Sequence, residues 1–173
     1  MKRVLGIGFA LMMALPMLAW ASSSTQSTQF TYTGSDNSQA LTMLVSLLRD
    51  HDIEVILVNE EAALVVIVWD GHKILLEPRF SKDGLDRVVA KMMFGVKSTY
   101  IGSSEVIAFV NMLNVSYNMG CTYIEGEILT FMSHATFLDT VTWDELKAFL
   151  DFFSDSVMAM IVKHVDNIIK YLH

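Results

Sequence analysis

Hydrophobic and polar residues alternate along the chain with two different periods. Apolar residues recur at helical spacing from Ser38 to Asp50, which predicts an amphipathic first helix. Short β-favouring runs separated by turns then predict four antiparallel strands, at residues 53–58, 62–69, 73–80 and 86–97. The second run is apolar throughout, which favours a strand at the centre of a sheet or covered on both faces. The fourth run also fits a helical stripe, but its β-branched start favours a strand.

The pattern then returns to helical spacing before a hairpin. Ser103 or Ser104 is a suitable cap for a helix that reaches about Tyr117, since a serine hydroxyl accepts from free backbone amides. Its predicted core side is made of Val106, Ile107, Val110 and Leu113. Residues 121–125 and 128–132 flank a Glu-Gly-Glu turn, which predicts a hairpin. Thr142 and Glu145 are spaced as a capping box and predict the start of a closing helix.

The closing helix has an apolar stripe from Trp143 to Leu172. A straight helix of that length would extend about 45 Å, longer than a small domain of about 30 Å. We therefore expect it to break near 154–156, to overhang, or to contact another chain. Two interpretations stay open: the whole stripe is intrachain core, or its distal half forms a homodimer face or a groove for a partner. The residues of that candidate partner face are Phe153, Val157, Met160, Ile161 and Ile168.

The first 21 residues have the pattern of a secretory signal peptide. Lys2 and Arg3 precede an apolar stretch, and Ala19-Trp20-Ala21 favours cleavage before Ser22. The pattern predicts export, for example to a bacterial periplasm, with a retained anchor as the alternative; after cleavage we expect no stable insertion in the membrane. Residues 22–37 are polar and are interpreted as a flexible lead-in. Residues 38–173 then suffice for a single domain.

Composition narrows the classes of function. With 53% hydrophobic and 18% charged residues, the chain is expected to fold and not to be disordered. A formal net charge of −7 disfavours a nucleic-acid partner. The single cysteine, Cys121, has no cation beside it to activate a thiolate. We therefore expect it to be a buried small hydrophobic residue, with an intermolecular cross-link as the alternative.

No local motif points to catalysis, a cofactor or a metal. The five histidines are scattered at positions 51, 72, 134, 164 and 173, without the ligand spacing of a zinc site. Gly102-Ser103-Ser104 lacks the second glycine of a nucleophile elbow, so its hydroxyls are better explained as helix caps. The sequence predicts a protein that is not an enzyme.

Asn111 and Asn114 share one face of the second predicted helix, because residues three apart are neighbours on a helix. Their amides are expected to bond the backbone where this helix leads into the hairpin. This Asn-x-x-Asn helix, the hairpin that follows and the capped closing helix together resemble the YbjN family of bacterial sensory transduction regulators, over about residues 40–155. The resemblance implies an α+β fold in which helices pack against a largely antiparallel sheet, as in type III secretion chaperones. It also implies a binding module.

These observations lead to two hypotheses of function. The first is an exported, non-enzymatic module, chaperone-like or regulatory, that binds a protein or peptide through its sheet or its closing helix and forms a homodimer. The second is a periplasmic carrier of a small molecule or lipid. Its pocket would be lined by Met92, Met93, Phe94, Phe149, Phe152 and Phe153.

Overall fold

The computed structural model describes residues 26–81 and 85–173; the predicted signal segment lies outside them. The described helices are α1 (Asn37–Asp50), α2 (Ser104–Ser116), α3 (Trp143–Lys163) and α4 (Val165–Tyr171), with a short 3₁₀ turn at Ser98–Tyr100. The strands are β1 (Gln29–Thr31), β2 (Val55–Asn59), β3 (Leu64–Trp69), β4 (His72–Arg79), β5 (Asp86–Gly95), β6 (Cys121–Glu125), β7 (Ile128–Phe137) and β8 (Thr140–Thr142).

Six strands form one antiparallel sheet in the order β2-β3-β4-β5-β7-β6. Three successive hairpins build β2 to β5, since short turns join neighbouring antiparallel strands. Helix α2 then carries the chain to the far edge, where β6 turns back as β7 beside β5. The long β5–β7 pairing runs from Asp86 opposite Phe137 to Gly95 opposite Ile128. The predicted α+β class, with helices packed against a largely antiparallel sheet, is confirmed.

The hydrophobic core lies between the helices and one face of this sheet. Side chains alternate between the two faces of a strand, and the inward ones include Ile67, Ile74 and Phe131, which are fully buried. Leu44 of α1 and Leu150 of α3 belong to the same core cluster. Burying such a side chain stabilises the fold by about 1.5–3 kcal/mol.

One interpretation of its apolar sequence places strand β3 at the centre of the sheet, and this is wrong. It is the second strand from the edge, and only alternate residues such as Val65 and Ile67 are buried. Leu64, Val66 and Val68 are half-buried on the other face. The apolar run reflects an apolar face of the sheet that no described helix covers.

Helix α2 begins at the predicted cap, with Ser103 accepting from the backbone of Val106. Val106, Val110 and Leu113 are buried as expected, but the prediction for Ile107 is wrong, because its side chain is 49% exposed. Successive residues on a helix with 3.6 residues per turn point about 100° apart. Once Val106 faces the core, its neighbour Ile107 is turned to the side, and Phe109 is buried instead.

A second, two-stranded sheet joins the start of the described chain to the segment just before α3. Strand β1 pairs with β8 from Gln29 opposite Thr142 to Thr31 opposite Thr140, and Phe30 packs on Phe80 with ring centroids 5.9 Å apart. The polar composition of residues 22–37 predicts a flexible lead-in. For β1 this is wrong, because its pairing partner lies 109 residues further along the chain and leaves no local signal.

The closing helix breaks at His164 and not at the predicted 154–156. Ser154 is buried within α3, where its small side chain is compatible with close packing. The 21 residues of α3 extend about 32 Å, which fits a domain of this size. At the break, His164 Nε2 lies 2.8 Å from Tyr117 Oη.

Contacts with the sheet explain why the chain turns after this break. The backbone of Lys97 donates to the carbonyl of Tyr171 at 2.8 Å, and that of His173 donates to the carbonyl of Gly95 at 3.0 Å. Short α4 therefore returns to the end of β5 and does not overhang. No helix in the described ranges has both the length and the apolar character needed to cross a membrane.

Candidate functional site

Of the two asparagines singled out in the sequence, Asn114 locks α2 to the hairpin. Its Nδ2 donates to the carbonyl of Thr122, and its Oδ1 accepts from the Thr122 amide, both at 2.7 Å. Thr122 lies in the edge strand β6 and is buried. Asn111 is exposed, and among the described side chains no hydrogen bond joins it to the hairpin. The prediction is confirmed for Asn114 alone.

The capping box at the start of α3 is also confirmed. The amide of Glu145 donates to Thr142 Oγ1 at 3.3 Å, and the amide of Thr142 donates to Glu145 Oε2 at 3.4 Å. Both residues satisfy backbone groups that a helix start leaves free. Their role is structural.

The predicted partner face on the closing helix is wrong. Phe153, Val157 and Met160 are buried in the core, and Ile161 and Ile168 are partly buried against it. This side of the helix points inward because it supplies the layer that covers the sheet. The alternative interpretation, that the apolar stripe is intrachain core, holds for most of the stripe, but Val165 and Ile169 of α4 are exposed.

The six residues expected to line a carrier pocket are divided between the core and the surface. Met92 is buried and Met93 is 52% exposed, since successive residues of a strand point to opposite faces. Phe94 packs edge-on against Phe131 inside the core. Phe149 and Phe153 stack on the inner side of α3, whereas Phe152 is exposed. Four of the six side chains thus lie in or against the packed core and the other two are exposed, so they do not line one shared pocket as predicted.

The sequence hypothesis names the sheet as a possible binding surface but does not identify its second face, which we call the open face. None of its apolar side chains belongs to the core cluster under the helices. They are Leu57, Leu64, Val66, Val68, Leu75, Val89, Met93, Tyr123, Ile128 and Met132. The signal in the sequence was the unbroken apolar run of β3, because a strand with one solvated face would alternate with polar residues.

One row of side chains crosses the open face from edge to edge. Strand register places Leu57 opposite Val66, and Val66 opposite Leu75. The row continues through Lys91 and Met132 to Cys121. Six strands at a spacing of about 4.8 Å make this crossing row about 24 Å long. All its members except Lys91 are apolar or weakly polar.

Cys121 ends the crossing row and is exposed, so the expectation of a buried thiol is wrong. It is the first residue of the edge strand β6, and strand alternation directs the neighbouring Thr122 inward instead.

A paired charge lies at the centre of the open face. Lys91 Nζ is 2.5 Å from Glu77 Oε1, and Arg79 donates to Glu77 Oε2 at 2.6 Å. The Glu77 and Lys91 side chains are only 14% and 15% exposed. Burial disfavours the ionised Glu77 carboxyl, but hydrogen bonds from Lys91 and Arg79 outweigh burial and hold its pKa below the ordinary value.

The surface around this ion pair is shallow. A depression of about 380 Å³ is lined by Leu75, Glu77, Lys91, Met93, Tyr123, Glu125, Ile128 and Thr130. A larger depression of about 490 Å³ lies between α1 and β2, where Arg49, Asp50 and Glu60 line it with mixed charge. In the described part of the chain, no three His, Cys, Asp or Glu side chains are grouped as a metal site.

The chain matches no family model, and no curated protein and no solved structure is significantly similar to it. The resemblance to the YbjN family therefore stays a prediction. A proposal of function has to be argued from the open face itself.

Proposed function

We propose that this protein is an exported, non-enzymatic protein-binding module of the YbjN type and that it holds a protein partner on its open face. The single observation that carries the proposal is an apolar face that extends over all six strands and that no helix of the described residues covers. Large exposed apolar patches on a folded domain are typical of interaction sites.

The shape of the open face favours a protein over a small molecule. Small ligands bind in concave pockets that bury most of their surface, whereas here the apolar side chains spread along a row about 24 Å long. The depression on this face is partly lined by charged side chains, and the larger one lies between α1 and β2, not on the open face. A flat, wide surface of this kind suits another sheet or a broad protein surface.

The charged centre supports binding and not catalysis. The Glu77 carboxylate is occupied by Lys91 and Arg79, so it is not presented as a free base. A paired charge within an apolar interface contributes mainly to the choice and orientation of the partner. The proposal therefore assigns Glu77 and Lys91 to specificity.

Export and periplasmic location belong to the same proposal and rest on the signal pattern of residues 1–21. A chaperone-like or regulatory role is what the family resemblance adds.

The proposal is tested by comparing Met93→Glu with Val115→Glu in tagged protein recovered from cell-envelope extracts. Met93 lies on the open face, and Val115 is 89% exposed on α2, so neither change disturbs the core. We expect Met93→Glu to lose, by at least tenfold, a protein that the wild type and Val115→Glu both retain. Equal recovery by all three proteins would contradict the proposal.

A further inference from the structure

We infer that the partner held on the open face is a second copy of this chain. The two copies are related by a two-fold axis that is parallel to the crossing row and lies midway between the two stacked sheets. The inference rests on the proposed function, because it uses the same face, and it names the partner. Two copies related in this way would stack their sheets face to face.

A two-fold axis along the crossing row places each residue of that row opposite itself. Leu57, Val66, Leu75 and Met132 would then make apolar contacts with their own copies. Self-complementarity of this kind is what an isologous dimer requires. Lys91 would also approach its copy, but its amine is bound to Glu77, which lies two residues from the row on β4.

On each strand, the same axis places the residue two positions before the row opposite the residue two positions after the row on the same strand of the second copy. On β3, Val68 would face Leu64 of the second copy, and on β5, Met93 would face Val89. On β7, Thr130 would face His134. Val89 and Thr130 are already buried within one copy, so the exposed surface of these pairs comes mainly from Met93 and His134 and from the half-buried Leu64 and Val68. None of the pairs sets a charge against an apolar side chain.

The charged positions on β4 are complementary under the same operation. Lys73 is exposed and would face Glu77 of the second copy, because Leu75 lies midway between them in the row. Opposite charges set across an interface favour this register over others. On the four adjacent strands β3, β4, β5 and β7, the side chains that face each other are therefore compatible with this one axis.

A two-fold axis parallel to the strands lacks this agreement. An axis between β4 and β5 would exchange these two strands and set Leu75 against Lys91, and Glu77 against Val89. On the neighbouring strands it would set Leu64 against His134. Charged or polar side chains would then face apolar ones, and burying an unpaired charge is costly.

Stacked sheets lie about 10 Å apart, which is beyond the Cα separation of about 4.4–6.8 Å that a disulfide spans. The dimer is therefore non-covalent, and a short bismaleimide is a suitable probe of its axis. On-axis residues of the two copies would be about 10 Å apart, whereas residues two positions off the axis would be displaced sideways by about 13 Å as well.

The experiment measures the mass of the purified protein by light scattering and then links single cysteines in a Cys121→Ser background. We expect a dimer at tens of micromolar concentration. Val66→Cys should cross-link with itself and Val68→Cys should not, but Val68→Cys mixed with Leu64→Cys should. The three native residues are only half-buried, and circular dichroism checks that each variant is folded.

A monomer would overturn the inference, as would a dimer in which Val68→Cys links to itself as efficiently as Val66→Cys, or in which Val66→Cys fails to link. The outcome for the proposed function is separate. A monomeric protein that still loses a foreign partner through Met93→Glu would leave that function standing, whereas a monomer with no partner at this face would contradict both.

Charge exchange gives a second test of the same axis. Lys73→Glu would set two carboxylates against each other and should raise the dissociation constant of the dimer at least tenfold. Lys73→Arg keeps the charge and should leave it within about twofold. An equal effect of the two substitutions would contradict the pairing of Lys73 with Glu77 of the second copy.

Discussion

The side chain of Asn114 makes the two backbone hydrogen bonds to Thr122 that a further strand would make at this edge of the sheet. Its Nδ2 and Oδ1 atoms each lie 2.7 Å from the backbone of Thr122 in the edge strand β6. One side chain thus satisfies the outward N–H and C=O of a buried strand residue. Unpaired groups at a sheet edge invite association with other strands. The contact therefore fixes α2 on the hairpin and protects this edge at the same time.

Asn114→Ala should destabilise the fold by about 1–3 kcal/mol, because it leaves a buried backbone donor and acceptor without partners. Asn111→Ala is the matched control on the same helix and should stay within about 0.5 kcal/mol of the wild type, since Asn111 is exposed. Urea unfolding of the three proteins measures both effects. Equal stability of the two variants would show that the edge contact contributes nothing.

The orientation of α2 gives a second matched pair. Leu113→Ala should cost about 2–5 kcal/mol, because Leu113 is fully packed in the core. Ile107→Ala removes a half-exposed side chain and should cost clearly less. Chemical denaturation compares the two, and a larger loss for Ile107→Ala would mean that the helix is rotated.

The pH dependence of stability should report the ion pair on the open face. The pKa of Glu77 is lowered in the folded protein, so the folded state binds this proton less readily than the unfolded state. The stabilisation it gives is present above the ordinary value of about 4.5 and is lost as the pH falls through the lower folded value.

We therefore expect the difference in unfolding free energy between wild type and Glu77→Gln to shrink as the pH falls below about 4.5. Glu61→Gln, which changes an exposed carboxylate, is the control. Denaturant unfolding above and below that pH gives the comparison. A constant difference between wild type and Glu77→Gln would contradict the role of the ion pair.

Local patterns predicted most of the elements of this fold. Helix α1, the strands β2 to β5, helix α2 and the β6–β7 hairpin lie close to where hydrophobic periodicity places them. The Thr142–Glu145 cap was found because its chemistry depends on residues only three apart. Interactions between residues this close in the chain can be recognised from the sequence alone.

The errors share a different physical origin, because each depends on residues far apart in the chain. Strand β1 exists through its pairing with β8, and the break at His164 coincides with its contact to Tyr117. The length of the last helix left open whether its distal half contacts a partner, because a straight helix would be longer than one domain. The break and the return of α4 to β5 place Phe153, Val157 and Met160 in the core.

The open face was missed for a related reason. The sequence shows that β3 is apolar on both faces. Only the sheet order and the placement of the described helices on one side show which face these helices leave uncovered. Tertiary arrangement, and not local pattern, defines this surface.

The most direct test of the open face as a binding surface is site-specific photo-cross-linking in living cells. A photoreactive amino acid at position 93 would lie on the open face, and one at position 162, also exposed in the wild type, would lie on the outer side of α3. The account predicts a defined protein adduct from position 93, identified by mass spectrometry, and none from position 162. No adduct at position 93, or the same adducts at both positions, would contradict it.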